Sequence, residues 1–274
     1  MFASPDELAA ALDGAGYLPD PGIATAGFLA LRLGKPVFLE GDAGVGKTAF
    51  ASALALAAGL PLIRLQCYDG IDAAQALYEW DFPRQILHVR RCEATGEPVG
   101  DLYDRQFLIA RPLLRALEEA PCVLLVDEVD RADDEFEAYL LELLSEAAIT
   151  IPELGRIAAP APFFAVLTSN RTREVHDALK RRCLYHWVDH PDPEREAAII
   201  ARHLPDVSVR LSVAVASAVA RLRSLDLVKP PGVAEAIDWA AALSALGSDS
   251  PSRESLSAVL KVREDWAVAA AVLP

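Results

Sequence analysis

Residues 41–48, GDAGVGKT, constrain the fold of this chain more than any other stretch. They follow the apolar run PVFLE at residues 36–40 and lead into a long Ala-rich run, so the pattern predicts a strand, a glycine turn and a helix in direct succession. The spacing fits GxxxxGK[ST], with Gly41, Gly46, Lys47 and Thr48 at the defined positions. Such a unit is typical of parallel α/β architecture.

The same stretch has the composition of a phosphate-binding loop. Glycines let the backbone curl until successive N–H groups point inward, at the positive end of the following helix. Lys47 adds a positive charge, and the Thr48 hydroxyl is a ligand for Mg²⁺. We predict that a nucleotide phosphate chain binds to the whole loop, which comprises Gly41, Asp42, Ala43, Gly44, Val45, Gly46, Lys47 and Thr48.

An acidic pair follows a second apolar run, VLLVDEVD at residues 123–130. Asp127 is predicted to hold Mg²⁺ through water, and Glu128 to polarise a water that attacks the γ-phosphate. Asn170 ends the next predicted strand, and the ends of parallel strands face one crevice, so its amide is expected to hold that water beside Glu128. The alternatives are a solvated acidic loop and a turn-forming asparagine. Together the motifs predict an Mg-nucleotide hydrolase.

Short β-rich runs alternate with helical patterns up to about residue 190, after which no strand is predicted. We therefore expect a nucleotide-binding domain at 1–190 and a helical domain at 191–274. Within the first domain we expect an insertion with a short helix at about 77–106 and a hairpin at about 149–159. The five principal strands are predicted at 36–40, 61–66, 122–127, 163–169 and 184–188.

Charge and composition exclude several classes of protein. With 40 acidic and 26 basic residues the net charge is −14, which argues against a protein that coats nucleic acid or anionic membrane. The amino-terminal sequence lacks the pattern of a signal peptide, and the long uncharged run at 48–63 contains Gly59 and Pro61. We accordingly expect a cytoplasmic protein without a membrane span.

In this order, the elements resemble the AAA+ ATPases of the MoxR type over roughly residues 20–245. The stretches that carry the resemblance, including DEVDRADDEFEAYLLELLSE and TSNRTREVHDALKRRCLYHW, are most similar to the CoxD-like ATPases that mature carbon monoxide dehydrogenase. The resemblance implies a three-layer αβα P-loop domain with strand order 5-1-4-3-2 and a helical lid. It further implies ATP as the nucleotide, a homo-oligomeric ring that is commonly a hexamer, and a partner with a von Willebrand A domain. The client it implies is a molybdoenzyme.

The resemblance also gives a role to three adjacent cations, Lys180, Arg181 and Arg182. Arg182 matches the arginine finger of the family, with Arg181 as the second candidate, and the finger reaches the γ-phosphate held by a neighbouring subunit. A guanidinium suits this role because it stays charged and bridges equatorial phosphate oxygens. The alternative is a basic patch that pairs with the acidic surface.

One stretch departs from the family pattern. The lid usually offers an arginine to the nucleotide, but the matching stretch, KPPGVAEAIDWA at 229–240, has Ala234 or Glu235 there, with Lys229 as a possible substitute. Two other functions stay open at this stage: a DNA-associated AAA+ ATPase, such as a loader or translocase, and a nucleotide-binding scaffold that does not hydrolyse. Presence of both Glu128 and Asn170 argues against the scaffold, and the acidic net charge against the DNA-associated ATPase.

Overall fold

The computed structural model describes residues 2–272. Strands form where short runs of branched and aromatic residues end at Gly, Pro or Asp. In chain order they are β1 (Val37–Glu40), β2 (Leu62–Gln66), β3 (Tyr78–Trp80), β4 (Leu108–Ala110), β5 (Val123–Asp127), β6 (Ala148–Ile151), β7 (Gly155–Ala158), β8 (Phe164–Ser169) and β9 (Leu184–Trp187).

Five of these strands form one parallel sheet in the order β2-β5-β8-β1-β9. Counted along the chain as first to fifth, they give 5-1-4-3-2 from the β9 edge, so the predicted order is confirmed. In such a sheet the carboxyl ends of all strands meet at one edge, which is where β1, β5 and β8 deliver the predicted site residues.

Helices begin at side-chain caps or prolines in most cases, as at Ser4 and Pro5 for the first of them. They are α1 (Pro5–Gly14), α2 (Pro21–Leu33), α3 (Lys47–Ala58), α4 (Ala73–Leu77), α5 (Phe82–Thr95), α6 (Pro112–Glu118), α7 (Asp134–Glu146), α8 (Asp177–Arg182), α9 (Pro193–His203), α10 (Val209–Arg223), α11 (Val233–Ala245), α12 (Leu256–Val259) and α13 (Glu264–Ala270).

The sheet is covered on both faces, which makes the fold three-layered, as predicted. One buried cluster joins the sheet to α6 and α7 through residues such as Leu114, Phe136 and Leu140. A second cluster on the opposite face joins it to α1, α2 and α3 through residues such as Leu12 and Phe50. Side chains that alternate along a strand point to opposite faces, so the three central strands, β1, β5 and β8, contribute to both clusters.

The region at about 77–106, expected to be an insertion with a short helix, contains a longer helix, and its status as an insertion stays a prediction. Helix α5 has 14 residues, and the segment is closed by an antiparallel pair of three-residue strands, β3 and β4, in which Trp80 lies opposite Leu108. Sequence patterns missed the pair because three residues are too few to show a period of two. The β6–β7 pair forms a separate antiparallel hairpin.

Beyond residue 190 the described residues are helical. Their buried cluster is separate from the two around the sheet and centres on Trp239, Val215 and Leu243. Near its carboxyl end the helical region is broken into a 3-10 turn, Arg253–Ser255, and the short helices α12 and α13. The division of the chain into domains at 190 and 191 stays a prediction.

Candidate functional site

The phosphate-binding loop lies between β1 and α3, and its glycines are needed for its shape. Gly44 and Gly46 have φ values of 79° and 100°, in the left-handed region where a β-carbon is disfavoured. A β-carbon at Gly41 would lie 2.3 Å from the carbonyl oxygen of Val188. The loop leads directly into the first turn of α3, which begins at Lys47. The first N–H groups of a helix have no partner within it and are available to an anion.

Lys47 is buried, and its ammonium lies over the loop. The Nζ atom donates to the carbonyl oxygens of Gly41 at 2.7 Å and Asp42 at 2.6 Å. Burial lowers the pKa of Lys47, while nearby carboxylates, that of Asp42 first among them, act in the opposite direction. A phosphate that replaced these two carbonyl groups as the partner of Lys47 would bind a full positive charge that is partly shielded from water.

Thr48, Asp127 and Thr168 form a compact group at the ends of three elements. Asp127 Oδ1 accepts hydrogen bonds from the hydroxyl groups of Thr48 at 3.0 Å and Thr168 at 2.5 Å. The Thr168 hydroxyl in turn accepts from the backbone N–H of Glu128 at 2.9 Å. One hydroxyl therefore fixes both members of the acidic pair.

These residues fit Mg²⁺ by their chemistry. Hydroxyl and carboxylate oxygens are hard ligands, and Mg²⁺ is usually held by one or two protein oxygens, substrate phosphates and water. Within residues 2–272 no group of three or more His, Cys, Asp or Glu side chains is placed to hold a metal. Thr48 and Asp127, the pair predicted to hold the ion, lie together in this cleft.

Glu128 and Asn170 meet across the ends of β5 and β8. Asn170 Nδ2 lies 3.3 Å from Glu128 Oε1, and Arg131 Nη1 lies 3.3 Å from Glu128 Oε2. Glu128 has φ 56° and ψ 50°, an uncommon backbone conformation for a residue other than glycine. Such outliers are concentrated at functional sites, where surrounding contacts maintain them.

Asp130 positions the loop that carries Asn170, and sequence patterns did not identify it. Its buried carboxylate accepts from the backbone N–H groups of Asn170 at 3.2 Å and Thr172 at 2.8 Å, and from the Thr172 hydroxyl at 2.7 Å. Thr168 and Arg64, which both contact Asp127, were missed as well. For Asp130 the sequence did contain a signal, because it is the second aspartate of the stretch DEVD, three residues after Asp127.

A cavity of about 680 Å³ extends from the loop to the helical region, which is the size range of small-molecule sites. Lys47, Thr48, Asp127, Glu128 and Asn170 all line it. Its remaining wall comes from α3, the connection between α1 and α2, the connection after β9, one side of α9 and the start of α11. The predicted residues from the loop and from the two strand ends are thus brought together around one space.

The helical region contacts the phosphate loop through main chain. The backbone N–H of Val233 donates to the carbonyl oxygen of Gly44 at 2.9 Å. A β-carbon at Gly232 would lie 2.8 Å from the α-carbon of Gly44. Arg223 supports this approach, because its Nε donates to the carbonyl oxygen of Pro231 at 2.8 Å while its guanidinium is paired in bidentate fashion with buried Glu196.

The stretch where a lid arginine was expected has no cation toward the cavity. Ala234 lines the cavity, and the Glu235 carboxylate accepts from the backbone N–H of Gly232 at 3.0 Å. Lys229 does not line the cavity. Arg195, in the first turn of α9, does; its Nη2 donates to the carbonyl oxygen of Leu18 at 2.6 Å.

The two finger candidates lie on α8, outside the cavity. The Arg181 side chain is 83% exposed, and its closest carboxylate, that of Asp177, is 3.9 Å away. Arg182 is also exposed, and its Nη1 donates to the carbonyl oxygen of Leu141 at 2.9 Å. Lys180 instead points inward, 3.6 Å from buried Glu40. Neither arginine is brought to the cavity of its own chain.

No helix within residues 2–272 combines the length and the apolar character that a bilayer crossing requires. Similarity to solved structures agrees with the topology. A mutant of RuvB from Thermotoga maritima superposes with a TM-score of 0.51 over 94% of this chain and 70% of that one, at 17% identity. At such identity the likeness concerns the fold alone.

Two relatives are similar in sequence at low identity. Protein NorQ of Paracoccus denitrificans is 28% identical over 199 residues, which is 70% of this chain and 66% of NorQ. Gas vesicle ATPase GvpN of Haloferax mediterranei is 26% identical over 189 residues, which is 64% of this chain and 53% of GvpN. The chain thus spans just under two thirds of the first relative and about half of the second.

The AAA domain of the dynein-related subfamily matches residues 36–183, from the start of β1 to the end of α8. The match covers more than half of the 274 residues and includes every predicted site residue. The chain therefore belongs to the AAA family, in its dynein-related subfamily, and has the fold of a P-loop ATPase.

Proposed function

We propose that this chain hydrolyses ATP with Mg²⁺ and that the cycle remodels or matures a partner protein. The observation that carries the hydrolytic step is the contact of Glu128 with Asn170 beside the cavity that Lys47 and Thr48 line. A carboxylate and an amide on one side of a phosphate-binding loop are the groups that orient and deprotonate an attacking water.

Each residue has a distinct part in the proposed reaction. The backbone of residues 41–46 and the Lys47 ammonium bind the phosphate chain, while Asp127 and Thr48 would hold Mg²⁺. When bound, the ion neutralises charge on the β- and γ-phosphate oxygens. Glu128 accepts a proton from the water, and the Asn170 amide keeps that water in line with the γ-phosphorus.

We further propose that copies of the chain assemble into a ring, in which Arg182 or Arg181 reaches the γ-phosphate of a neighbour. The exposure of both side chains, and their distance from the cavity of their own chain, support a role toward another subunit. The side chain of Arg181 is 83% exposed, which makes it a stronger alternative than the sequence suggested. The hydrogen bond of Arg182 to Leu141 lies on an exposed surface, so Arg182 can give it up for a phosphate of a neighbouring subunit.

Similarity to NorQ and to the gas vesicle ATPase GvpN supports the MoxR-type assignment. Within that type we keep the CoxD-like resemblance as a hypothesis, with a molybdoenzyme of the carbon monoxide dehydrogenase kind as client and a von Willebrand A protein as partner. Cytoplasmic location and a hexameric ring belong to the same hypothesis. The DNA-associated ATPase is the second candidate, disfavoured by the net charge of −14.

A Glu128→Gln variant tests both parts of the proposal. We expect ATP turnover to fall about 10²- to 10⁴-fold, since the general base is lost, while ATP affinity stays within about threefold. Glu93→Gln, the same change on the exposed surface of α5, serves as the control and should turn over ATP normally. Wild-type phosphate release by Glu128→Gln would contradict the hydrolytic assignment.

The same variant, stalled with ATP, should retain client and partner on the ring in a pull-down from the native cell. Recovery of a molybdoenzyme subunit or of a von Willebrand A protein is the expected result. A stalled ring that binds neither of them argues against the CoxD-like assignment. DNA-stimulated turnover with a steep salt dependence would instead favour the second candidate.

A further inference from the structure

The carboxylate of Asp127 has one contact that the proposed chemistry does not use. Arg64, on the edge strand β2, places its Nη2 atom 2.5 Å from Asp127 Oδ2. The same nitrogen lies 2.5 Å from Gln66 Oε1, and Gln66 is the register partner of Asp127 in the β2–β5 pair. Both hydrogens of this nitrogen are therefore engaged, and the guanidinium is aimed at one carboxylate oxygen.

The two oxygens of Asp127 are in different surroundings. Oδ1 accepts from the hydroxyls of Thr48 and Thr168, whereas Oδ2 is the one in contact with a cation. A buried carboxylate with a guanidinium at hydrogen-bond distance is largely neutralised. A metal ion held by Asp127, directly or through water, must therefore share this carboxylate with Arg64 or displace it.

The contact is built so that it can be broken. The Asp127 side chain is only 5% exposed, but that of Arg64 is 52% exposed on an edge strand. Its guanidinium can turn into solvent without leaving a cavity in the core, because the apolar residues of β2, Ile63 and Leu65, point to the opposite face. Moving an exposed arginine costs little compared with moving a buried ion.

We propose that Arg64 is a positioning residue that competes with Mg²⁺ for Asp127 and so makes nucleotide binding and metal binding interdependent. Two cations on one carboxylate repel each other, so Arg64 weakens Mg²⁺ binding and Mg²⁺ weakens the Arg64 contact to the same degree. Without the metal, the guanidinium neutralises a carboxylate that would otherwise repel the phosphates. The inference rests on the proposed function, since it concerns the same nucleotide cleft.

Equilibrium binding of a fluorescent, non-hydrolysable ATP analogue tests the inference without any turnover. Affinity is measured by anisotropy in EDTA and across a series of Mg²⁺ concentrations, for the wild type and for Arg64→Gln. For the variant we expect weaker binding in EDTA and half-saturation at a Mg²⁺ concentration about tenfold lower. The dissociation constant in EDTA divided by that in Mg²⁺ should be larger for Arg64→Gln than for the wild type. The expected increase lies in the usual range for coupling between two ligands, about 5- to 150-fold.

Two further variants separate competition from a merely structural effect. Arg64→Lys keeps the charge but loses the fork, so its ratio should lie between those of the wild type and Arg64→Gln. Arg115→Gln is the same charge change on α6, at an exposed ion pair with Glu119, and should leave the ratio unchanged. Thermal midpoints of all variants in EDTA check that each one folds.

An unchanged ratio in Arg64→Gln, or equal losses of affinity in EDTA and in Mg²⁺, would overturn the competition and leave Arg64 with a structural role. Tighter Mg²⁺ binding by the wild type than by Arg64→Gln would do the same. Failure of the wild type to bind the analogue under any condition is a different result, because it removes the proposed nucleotide site itself. The two failures are therefore distinguishable in one titration.

Discussion

The nucleotide cleft and the basic end of α8 are built in opposite ways. In the cleft the polar side chains are in contact with other residues of the same chain, as Glu128 is with Asn170 and Arg131. On α8, Arg181 and Arg182 are exposed, and the closest carboxylate to Arg181 is that of Asp177 on its own helix. One region is held together by contacts within the chain, and the other leaves two arginine side chains exposed to solvent.

This difference shows what a single chain can complete alone. Preorganised groups stabilise a transition state without reorganising during the reaction, so the cleft is expected to bind nucleotide and position water by itself. Exposed arginine side chains are costly to order and contribute little until a partner desolvates them. We therefore expect binding to be a property of one subunit and fast turnover a property of two.

The largest expected effect is at α8 and tests whether its exposed arginines act in catalysis. Arg182→Ala should lower ATP turnover about 10³- to 10⁵-fold, the usual contribution of an arginine finger, with little change in ATP affinity. Arg181→Ala is the matched neighbour and should cost much less. A reversed ranking would assign the finger to Arg181, and two near-normal variants would contradict a finger on α8.

Mixing two inactive variants sharpens the same test. Subunits with Glu128→Gln still carry the arginine, and subunits with Arg182→Ala still carry the glutamate. If the arginine acts on a neighbour, their mixture should regain a measurable part of the turnover that each lacks alone. Persistent inactivity in mixed rings would show that Arg182 acts within its own chain.

A second, smaller effect concerns the order within the cleft. Asp130→Asn keeps one acceptor oxygen but places an NH₂ group against backbone N–H groups of the loop that holds Asn170. We expect turnover to fall about 10- to 100-fold, as for other supporting residues, with ATP affinity nearly unchanged. Steady-state kinetics compared with equilibrium binding separates the two quantities, and a loss in affinity alone would contradict a positioning role.

Gly232→Ala tests the main-chain contact between the helical region and the phosphate loop. The new methyl group would lie 2.8 Å from the Gly44 α-carbon, so one of the two backbones must shift. We expect ATP affinity to fall about tenfold, since sub-ångström misplacement of a preorganised loop is costly. Gly14→Ala, where nothing lies within 4 Å of the added carbon, is the control for the glycine substitution itself.

The smallest effect is a pH dependence of folding at His190, which lies against Asp42 of the loop. Burial lowers the pKa of His190, and the Arg223 charge lowers it further, while Asp42 acts in the opposite direction. Because the folded pKa is below the unfolded value of about 6.5, the folded state binds fewer protons, and stability is lost as the pH falls through 6.5.

Urea unfolding at pH 7.5 and pH 5.5 measures the loss, and His190→Gln should show a smaller difference between the two. One proton contributes at most about 1.4 kcal/mol per pH unit, which bounds the effect. An identical pH difference in the variant and in the wild type would exclude His190 as the titrating group.

The parts of the fold that could be predicted from sequence are those with a local cause. Strands β1, β5 and β8 are short apolar runs that end at polar residues, and the loop between β1 and α3 has glycines at fixed spacing, so period and turn chemistry identify them. Strand β3 has three residues and pairs with a strand 28 positions later, which no local pattern records. Helix α5 was underestimated because polar and charged residues obscure its narrow buried stripe, Gln85 and Cys92.

The candidate site divides in the same manner. Lys47, Thr48, Asp127 and Glu128 belong to motifs whose spacing is local. Asp130, Thr168 and Arg64 matter through hydrogen bonds that span 40 residues or more, such as the 63-residue separation of Arg64 from Asp127. A single sequence does not show which distant residues come into contact. These pairs are seen only in the structure, where the sheet places β2, β5 and β8 side by side.

The approach of Gly44 to Gly232 has a consequence for how this protein can diverge. The contact itself is made by main-chain atoms, so it requires that these two residues stay small and that Arg223 and Glu235 keep the segment of Gly232 in place. The side chain that α11 presents to the cavity at Ala234 can therefore change without removing the main-chain contact. A displacement of the phosphate loop would then reach the helical region through backbone atoms, whichever side chains line the cavity.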